Sequence, residues 1–360
     1  MNNWIHFKSS FIVTIVGLAL ALFFGGTEGL IIAGILGILE VSLSFDNAIV
    51  NAKVLAGMSD TWRHRFITWG MVIAVFGMRL VFPLLIVSVV TDISMYQSLH
   101  LALFEPAQYK HALESAHVVV MGFGGSFLMM VFLTYFIDET KDVHWLRAIE
   151  APLIHLGKIQ AIQAVLVLLF SYVVYKVLQT LPTDHSEAFL VASVLGVITY
   201  VCTDVIKVVI EMFNGISEED EENGAGNSAL MVAKSGLASF IYLEILDASF
   251  SFDGVLGAFA LTQDFLIIAI GLGIGAMFVR SLTLMLVASG HLAEYRYLEH
   301  GAFYAIGTLA TIMYVNTFTQ ISEVFTGLIG AALIIAAFVH SYFENKVEER
   351  DAKAAESDSL

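Results

Sequence analysis

Long apolar runs alternate with short polar breaks along most of this chain. Runs of about 20 apolar residues recur, the length an α-helix needs to cross a bilayer. In lipid every backbone N–H and C=O must find its partner inside the protein, so segments of this kind read as helices. Ten can be placed: 9–26, 29–57, 64–90, 112–137, 159–180, 185–214, 228–260, 264–288, 298–316 and 321–344. The expected fold is all-α, a polytopic helical membrane protein.

Composition agrees with that pattern. Hydrophobic residues make up 58% of the 360 and charged residues only 14%. Mean hydropathy is +0.81, and a soluble domain of this size needs far more charge to stay dispersed. Cys202 is the single cysteine, so neither a disulfide framework nor a CxxC site exists. The net charge of −16 is not one acidic surface: the acidic run at 218–222 and a charged tail after Glu344 carry much of it. Near the start, Lys8 and Ala19-Leu20-Ala21 imitate a signal peptide, but Leu22-Phe23-Phe24 extends the apolar run. It is read as a retained first helix.

Ten spans put both termini on one side. That side carries Lys8, Arg63, Arg65, Lys141, Arg147, Lys158, Arg296, Lys346, Arg350 and Lys353, whereas the other carries Lys110. The positive-inside rule makes the first side cytoplasmic, in the cell inner membrane.

Two acidic segments interrupt the apolar runs. Residues 38–49 read ILEVSLSFDNAI and residues 245–256 read ILDASFSFDGVL, with six of twelve positions identical. Carboxylates at membrane depth cost roughly 2.5–3.5 kcal/mol each on insertion scales, so a duplicated pair marks an ion or substrate path. The segments fall on the second and seventh helices, which run in opposite directions. One helix later Gly70–Arg79 and Gly271–Arg280 match in placing an arginine, and His117 and His300 fall in comparable places. The simplest organisation is an inverted repeat of five helices, 1–180 and 181–344, followed by a cytoplasmic tail at 345–360, with the site at the repeat interface.

On an ideal helix, residues six apart project about 120° from each other, so Glu40 and Asp46 do not converge. Glu40, Ser44 and Asn47 share one face, and Ser42 and Asp46 another. A kink or break in helices 2 and 7, where hydroxyls can bond freed carbonyls, brings these oxygens together. The oxygen-rich set Glu40, Asp46, Asn47, Glu244, Asp247 and Asp253 suits hard divalent ions such as Mn²⁺, Mg²⁺ or Ca²⁺. Arg79 and Arg280 balance part of the charge; five acids against two arginines leave three negative charges. A purely structural reading stands beside this one, in which the acids pair with the arginines to hold helices together.

EVSLSFDNAIV and LEILDASFSFDGV resemble the paired signatures of the TerC family of membrane proteins, named for tellurium resistance, and YLEHGAFYAIG at 297–307 adds to the likeness. The resemblance covers roughly residues 30–340. It implies a relation to the LysE-type exporter superfamily, with manganese efflux for several members. By motif position Glu40, Asp46, Asn47, Asp247 and Asp253 are then the metal-path residues, and Mn²⁺ or another divalent cation is a transported substrate, not a tightly bound cofactor. Gly254 departs from the family pattern, which has serine or asparagine there, so a side-chain ligand at this position is in question.

Weaker signals include Glu114 and His117 near the outer end of the fourth helix, with His100 and His111 before them, as a candidate metal vestibule, and Glu299 and His300 near the inner end of the ninth as its mirror. The plainer readings are a solvated helix start and interfacial hydrogen bonding. Lys53 reads as snorkelling to the interface. The competing functions are export of a small zwitterion, its carboxylate on Arg79 or Arg280, and a membrane scaffold for soluble stress-response proteins. Partners are the lipid bilayer and a divalent cation; a homo-oligomer is also open, and no basic patch for nucleic acid is present. No HExxH, GxSxG or GxGD motif supports an enzyme.

Overall fold

The computed structural model describes residues 7–358 except 71, 74–76, 78, 80, 139–140, 142, 160, 182–184, 214–235, 249, 251–253, 256–257, 259–260, 263, 290–294, 320 and 322. No strand occurs among them. In chain order the helices are α1 (Lys8–Leu43), α2 (Phe45–Ala56), α3 (Asp60–Arg65), a π-helical turn (Phe66–Gly70), α4 (Phe82–Val90), α5 (Met95–Phe104), α6 (Pro106–Ile137), α7 (Arg147–Leu156), α8 (Ile162–Leu178), α9 (Ser186–Phe213), α10 (236–248), α11 (Phe265–Ser289), α12 (Leu298–Asn316) and α13 (Glu323–Asp358). The chain is an all-α, multi-pass membrane protein.

The first helix doubles back on itself. Gly26 has φ 61° and ψ −155°, a conformation that a side chain strongly disfavours. Gly17 and Gly37, twenty residues apart in sequence, both abut Ile274, and Gly25 and Gly29 both abut Ile267. In a straight helix Gly17 and Gly37 would lie about 30 Å apart. The two arms are therefore a hairpin packed on α11, one antiparallel to it and the other parallel. The outer face leaves Ile12, Ile15, Val16, Phe23 and Phe24 exposed, as lipid contact requires. This is the expected division between helices at 9–26 and 29–57.

Ser44 supplies the second expected break. Its φ of −101° and ψ of 17° end α1, and α2 starts at the next residue. The break in the seventh predicted helix falls on 249 and 251–253, outside the described residues; α10 accounts for the part before it.

Other boundaries differ from the hydropathy reading. Every described residue of the helix expected at 64–90 is helical, α-helical in α3 and α4 and π-helical at Phe66–Gly70. After it α4 meets α5 at 112°, a corner the hydropathy reading did not place. Asp92, at φ 54°, sits in that corner, and Ser94 and Gln97 form a capping box that starts α5. The amphipathic α7 was not anticipated, because ten residues with an internal Pro152 resemble a loop. Conversely α13 runs on to Asp358 through the expected tail, where Glu, Lys and Ala favour continued helix. Among the described residues five helices are long and apolar enough to cross a membrane, and the bent α4–α5 pair makes a sixth. One of the five, Lys8–Val41, contains the hairpin and supplies two passes.

The central helix is α6, which packs against α9 on one side and α12 on the other. Tyr109, Leu113, Met121 and Phe127 are fully buried along it. On its far side Tyr314 of α12 shares a 2.8 Å hydrogen bond with Ser171 of α8.

Candidate ion site at the Ser44 helix break

Glu40 lies in the last turn of α1 and is 3% exposed. Ser44, freed by the break, donates its hydroxyl to Glu40 Oε1 at 2.8 Å, and Arg79 donates to the same oxygen. The pair is a charge-assisted bond in a water-poor site, where such bonds are strongest. Two glycines make room for Glu40. A Cβ on Gly275 would sit 2.3 Å from Glu40 Cβ, and one on Gly254 would sit 2.9 Å from Glu40 Oε2. The glycine in the second motif thus stands where a carboxylate from the first already lies.

The other cross-motif contact is polar. Asn47 and Asn51, four residues apart on α2, donate Nδ2 to Asp247 Oδ1 at 2.6 and 3.1 Å. A carboxylate only accepts, so both amide nitrogens must face Asp247 and both amide oxygens turn away. Asn47 Oδ1 and Asn51 Oδ1 are buried without hydrogen-bond partners, and so are both carboxylate oxygens of Glu244, one helical turn before Asp247. Asp46 is buried on α2, its Oδ1 accepting the Asn47 backbone N–H at 2.8 Å. Asp253 lies outside the described residues. Asn51 was not singled out in the sequence, although its i, i+4 spacing from Asn47 on a helix carrying Asp46 was a readable signal.

A cavity of about 30 Å³ is lined by Asn47, Asn51, Arg79, Asp247, Arg280, Thr283 and apolar neighbours, with Glu40, Asp46 and Glu244 outside its wall. The two arginines do different work. Arg79 holds Glu40, whereas Arg280 reaches Ser9 Oγ at 3.5 Å and the Ile67 carbonyl at 3.3 Å. Among the described residues no group of three His, Cys, Asp or Glu side chains is arranged to hold a metal ion. The asparagines and arginines intervene between the acids.

The vestibule candidates lie in two places, near opposite ends of α6. Glu114 is exposed beside Lys110 at 3.9 Å, and His117 is one turn further along α6. His300 instead meets Tyr135, near the opposite end of α6 and so about 27 Å along that helix from His117.

His300 belongs to a second polar cluster around Glu150, which sequence reasoning missed. Glu150 Oε1 accepts the backbone N–H groups of Trp145 and Leu146 at 3.2 and 3.0 Å and the Tyr304 hydroxyl at 3.2 Å. Lys141, His144 and His300 lie 3.8, 3.4 and 3.7 Å from its other oxygen. Burial lowers the Lys141 pKa to about 8 despite the attraction of Glu150. Nearby, the partly exposed Lys53 pairs with Glu299 at 2.6 Å and lies over the Tyr135 ring.

The chain is 30% identical over 143 residues to the Uncharacterized membrane protein YceF of Bacillus subtilis (strain 168), a match that covers 38% of this chain and 54% of that protein. It thus spans about half the length of the curated relative it matches. No solved structure matches. The family model described as Protein of unknown function (DUF475) matches residues 45–348, which takes in Asn47, Asn51, Asp247 and Arg280 but starts beyond the hairpin and Glu40. With that model matched over most of its length, this multi-pass membrane protein belongs to the DUF475 family.

Proposed function

We propose that the chain exports a divalent cation, Mn²⁺ first among the candidates, through the cluster at the Ser44 break. One observation carries the reading: four buried oxygen acceptors, on Asn47, Asn51 and Glu244, have no hydrogen-bond partner. Buried acceptors left unpaired are costly, and a cation is the species that satisfies them. Carboxylate and amide oxygens are the donor set of hard divalent ions. Glu40, Asp46, Glu244 and Asp247 against Arg79 and Arg280 leave a formal surplus of two negative charges among the described residues, which one dication neutralises.

In this reading the ion enters by displacing the asparagine amides from Asp247, and the freed carboxylate joins the amide oxygens around it. Glu40 stays paired with Arg79 and holds the broken helix in shape. The two halves of the chain alternate access to the site, with both termini cytoplasmic. The resemblance of both acidic motifs to TerC proteins and the LysE-type superfamily supports the same class.

A second reading, export of a small zwitterion, is favoured by Arg280, whose hydrogen bonds go to Ser9 Oγ and the Ile67 carbonyl rather than to a carboxylate. The cavity volume of about 30 Å³ suits a single ion or water better than an amino acid. The test is Mn²⁺ flux in proteoliposomes for the native protein and for Asp46→Asn, Asp247→Asn and Asp253→Asn, with Ca²⁺, Mg²⁺ and lysine as competitors. Saturable Mn²⁺ flux lost in the variants supports the exporter. Flux of lysine without Mn²⁺ moves the function to the zwitterion, and well-folded protein that moves neither sinks both.

A further inference from the structure

Arg280 also lines a second, much larger space. An apolar groove of about 670 Å³ runs between the α1 hairpin, the π-helical turn and α11, walled by Ile12, Val16, Leu20, Ile270, Ile274 and Met277. Its size is within the roughly 300–1,000 Å³ of ligand sites. Ile12 and Val16 are 62% and 53% exposed, so the groove opens on the surface that faces lipid. Among the described residues of its wall Arg280 is the single charged side chain.

The guanidinium is set for an anion at the polar end of this groove. Arg280 is level with Ser9, in the first turn of α1, and its bonds to Ser9 and Ile67 leave most of its donors unused. Its Nε is buried with no partner. Exposed Lys8 adjoins Ser9 in sequence and adds positive charge at that end, whereas the Arg65 guanidinium lies over the Trp62 ring. Exposed Trp69 lies in the π-helical turn, a residue type enriched where bilayer meets water.

We infer that this groove binds one anionic phospholipid, its acyl chain against Ile12, Val16, Ile270 and Ile274 and its phosphate on Arg280. A free phosphate has nothing to place in the apolar channel, and a zwitterionic lipid leaves the local positive charge without a net counter-charge. The inference does not depend on what the neighbouring ion site carries.

Native mass spectrometry of the full chain, released from nanodiscs of equal phosphatidylglycerol and phosphatidylethanolamine, tests it. Retained lipid is expected to be enriched about fivefold in phosphatidylglycerol, the preference one basic group gives near a membrane surface. Arg280→Gln should bring the ratio to that of the bilayer, and Arg280→Lys should keep most of the enrichment. Gly273→Leu narrows the groove with the arginine intact and should lower retained phosphatidylglycerol, which keeps the test decisive if Arg280→Gln does not fold. Retention at the bilayer ratio by the native protein overturns the inference, as does unchanged retention in Gly273→Leu.

Discussion

Two buried polar clusters lie on α12 and its neighbours and on the α2–α10 contact, and they are built on opposite principles. Around Glu150 a carboxylate is surrounded by donors: two backbone N–H groups, a tyrosine hydroxyl, a lysine and two histidines. Around Asp247 the acceptors outnumber the donors, and amide and carboxylate oxygens are left over. Glu150 Oε2, Lys141 Nζ and His144 Nδ1 also lack hydrogen bonds, but there the leftover oxygen faces Lys141, His144 and His300 at 3.8, 3.4 and 3.7 Å. The leftover oxygens of Asn47, Asn51 and Glu244 have no ion pair among the described residues and so hold free capacity for a cation. The difference separates a bolt from a binding site more sharply than burial or charge does, since Glu150 and Asp247 are both buried.

Substitutions should pull the two apart. Asp247→Asn is expected to lower Mn²⁺ flux by about a hundredfold, with detergent-solubilised protein melting near the native temperature. Asn51→Ala should behave alike but less severely. Glu150→Ala should do the reverse, destabilising the fold by about 3–5 kcal/mol by leaving buried cations unpaired, while the flux per folded molecule is kept. If Glu150→Ala instead abolishes flux at full stability, the contrast fails.

Gly254→Ala tests how closely the motifs fit. Its methyl group meets the Glu40 carboxylate, and overpacking of this kind costs about 1–3 kcal/mol. Flux and melting temperature should fall together, because Glu40 sits between fold and site. A variant with unchanged melting and flux would show that Glu40 has room to move.

Lys141 gives a smaller, pH-dependent effect. Its folded pKa of about 8 is below the ordinary 10.5, so the unfolded chain holds the proton more tightly between those values. Protonation therefore opposes folding below about pH 8, and stability should rise as pH climbs from about 8 toward 10.5. Subtracting the melting curve of Lys141→Met across that window should isolate the rise. Smallest of all, Lys53→Met removes a half-exposed ion pair with Glu299 and should cost about 0.2–1 kcal/mol, seen as a slight shift in the same melt.

Much of this was legible in the sequence where the signal is local. Gly25-Gly26 in an apolar run marks a turn, and Ser-x-Ser-Phe-Asp marks a weakened helix; both breaks are where the chain reads them. The duplicated motif also places Asn47 and Asp247 against each other, two hundred residues apart in sequence. The Glu150 bolt was not legible, because its partners come from the loop after α6 and from α12, and no spacing along the chain announces them. Arg79 and Arg280 match in sequence yet differ in partners, since the neighbours that decide the matter, Glu40 and Ser9, lie on different arms of the hairpin. The corner between α4 and α5 is set by two residues, Asp92 and Ser94, too few to change a hydropathy average.

The hairpin at Gly26 has a consequence for biogenesis. Both arms present glycines to one wall, Ile267 and Ile274 of α11, and ribosomes make that wall long after the arms. Until then the nascent hairpin sits in the membrane with its glycine seam open to lipid or to a chaperone. Final closure waits for a segment that arrives eight helices later than α3, so chains that stall before Phe265 leave the seam unsealed for the cell's proteases to recognise.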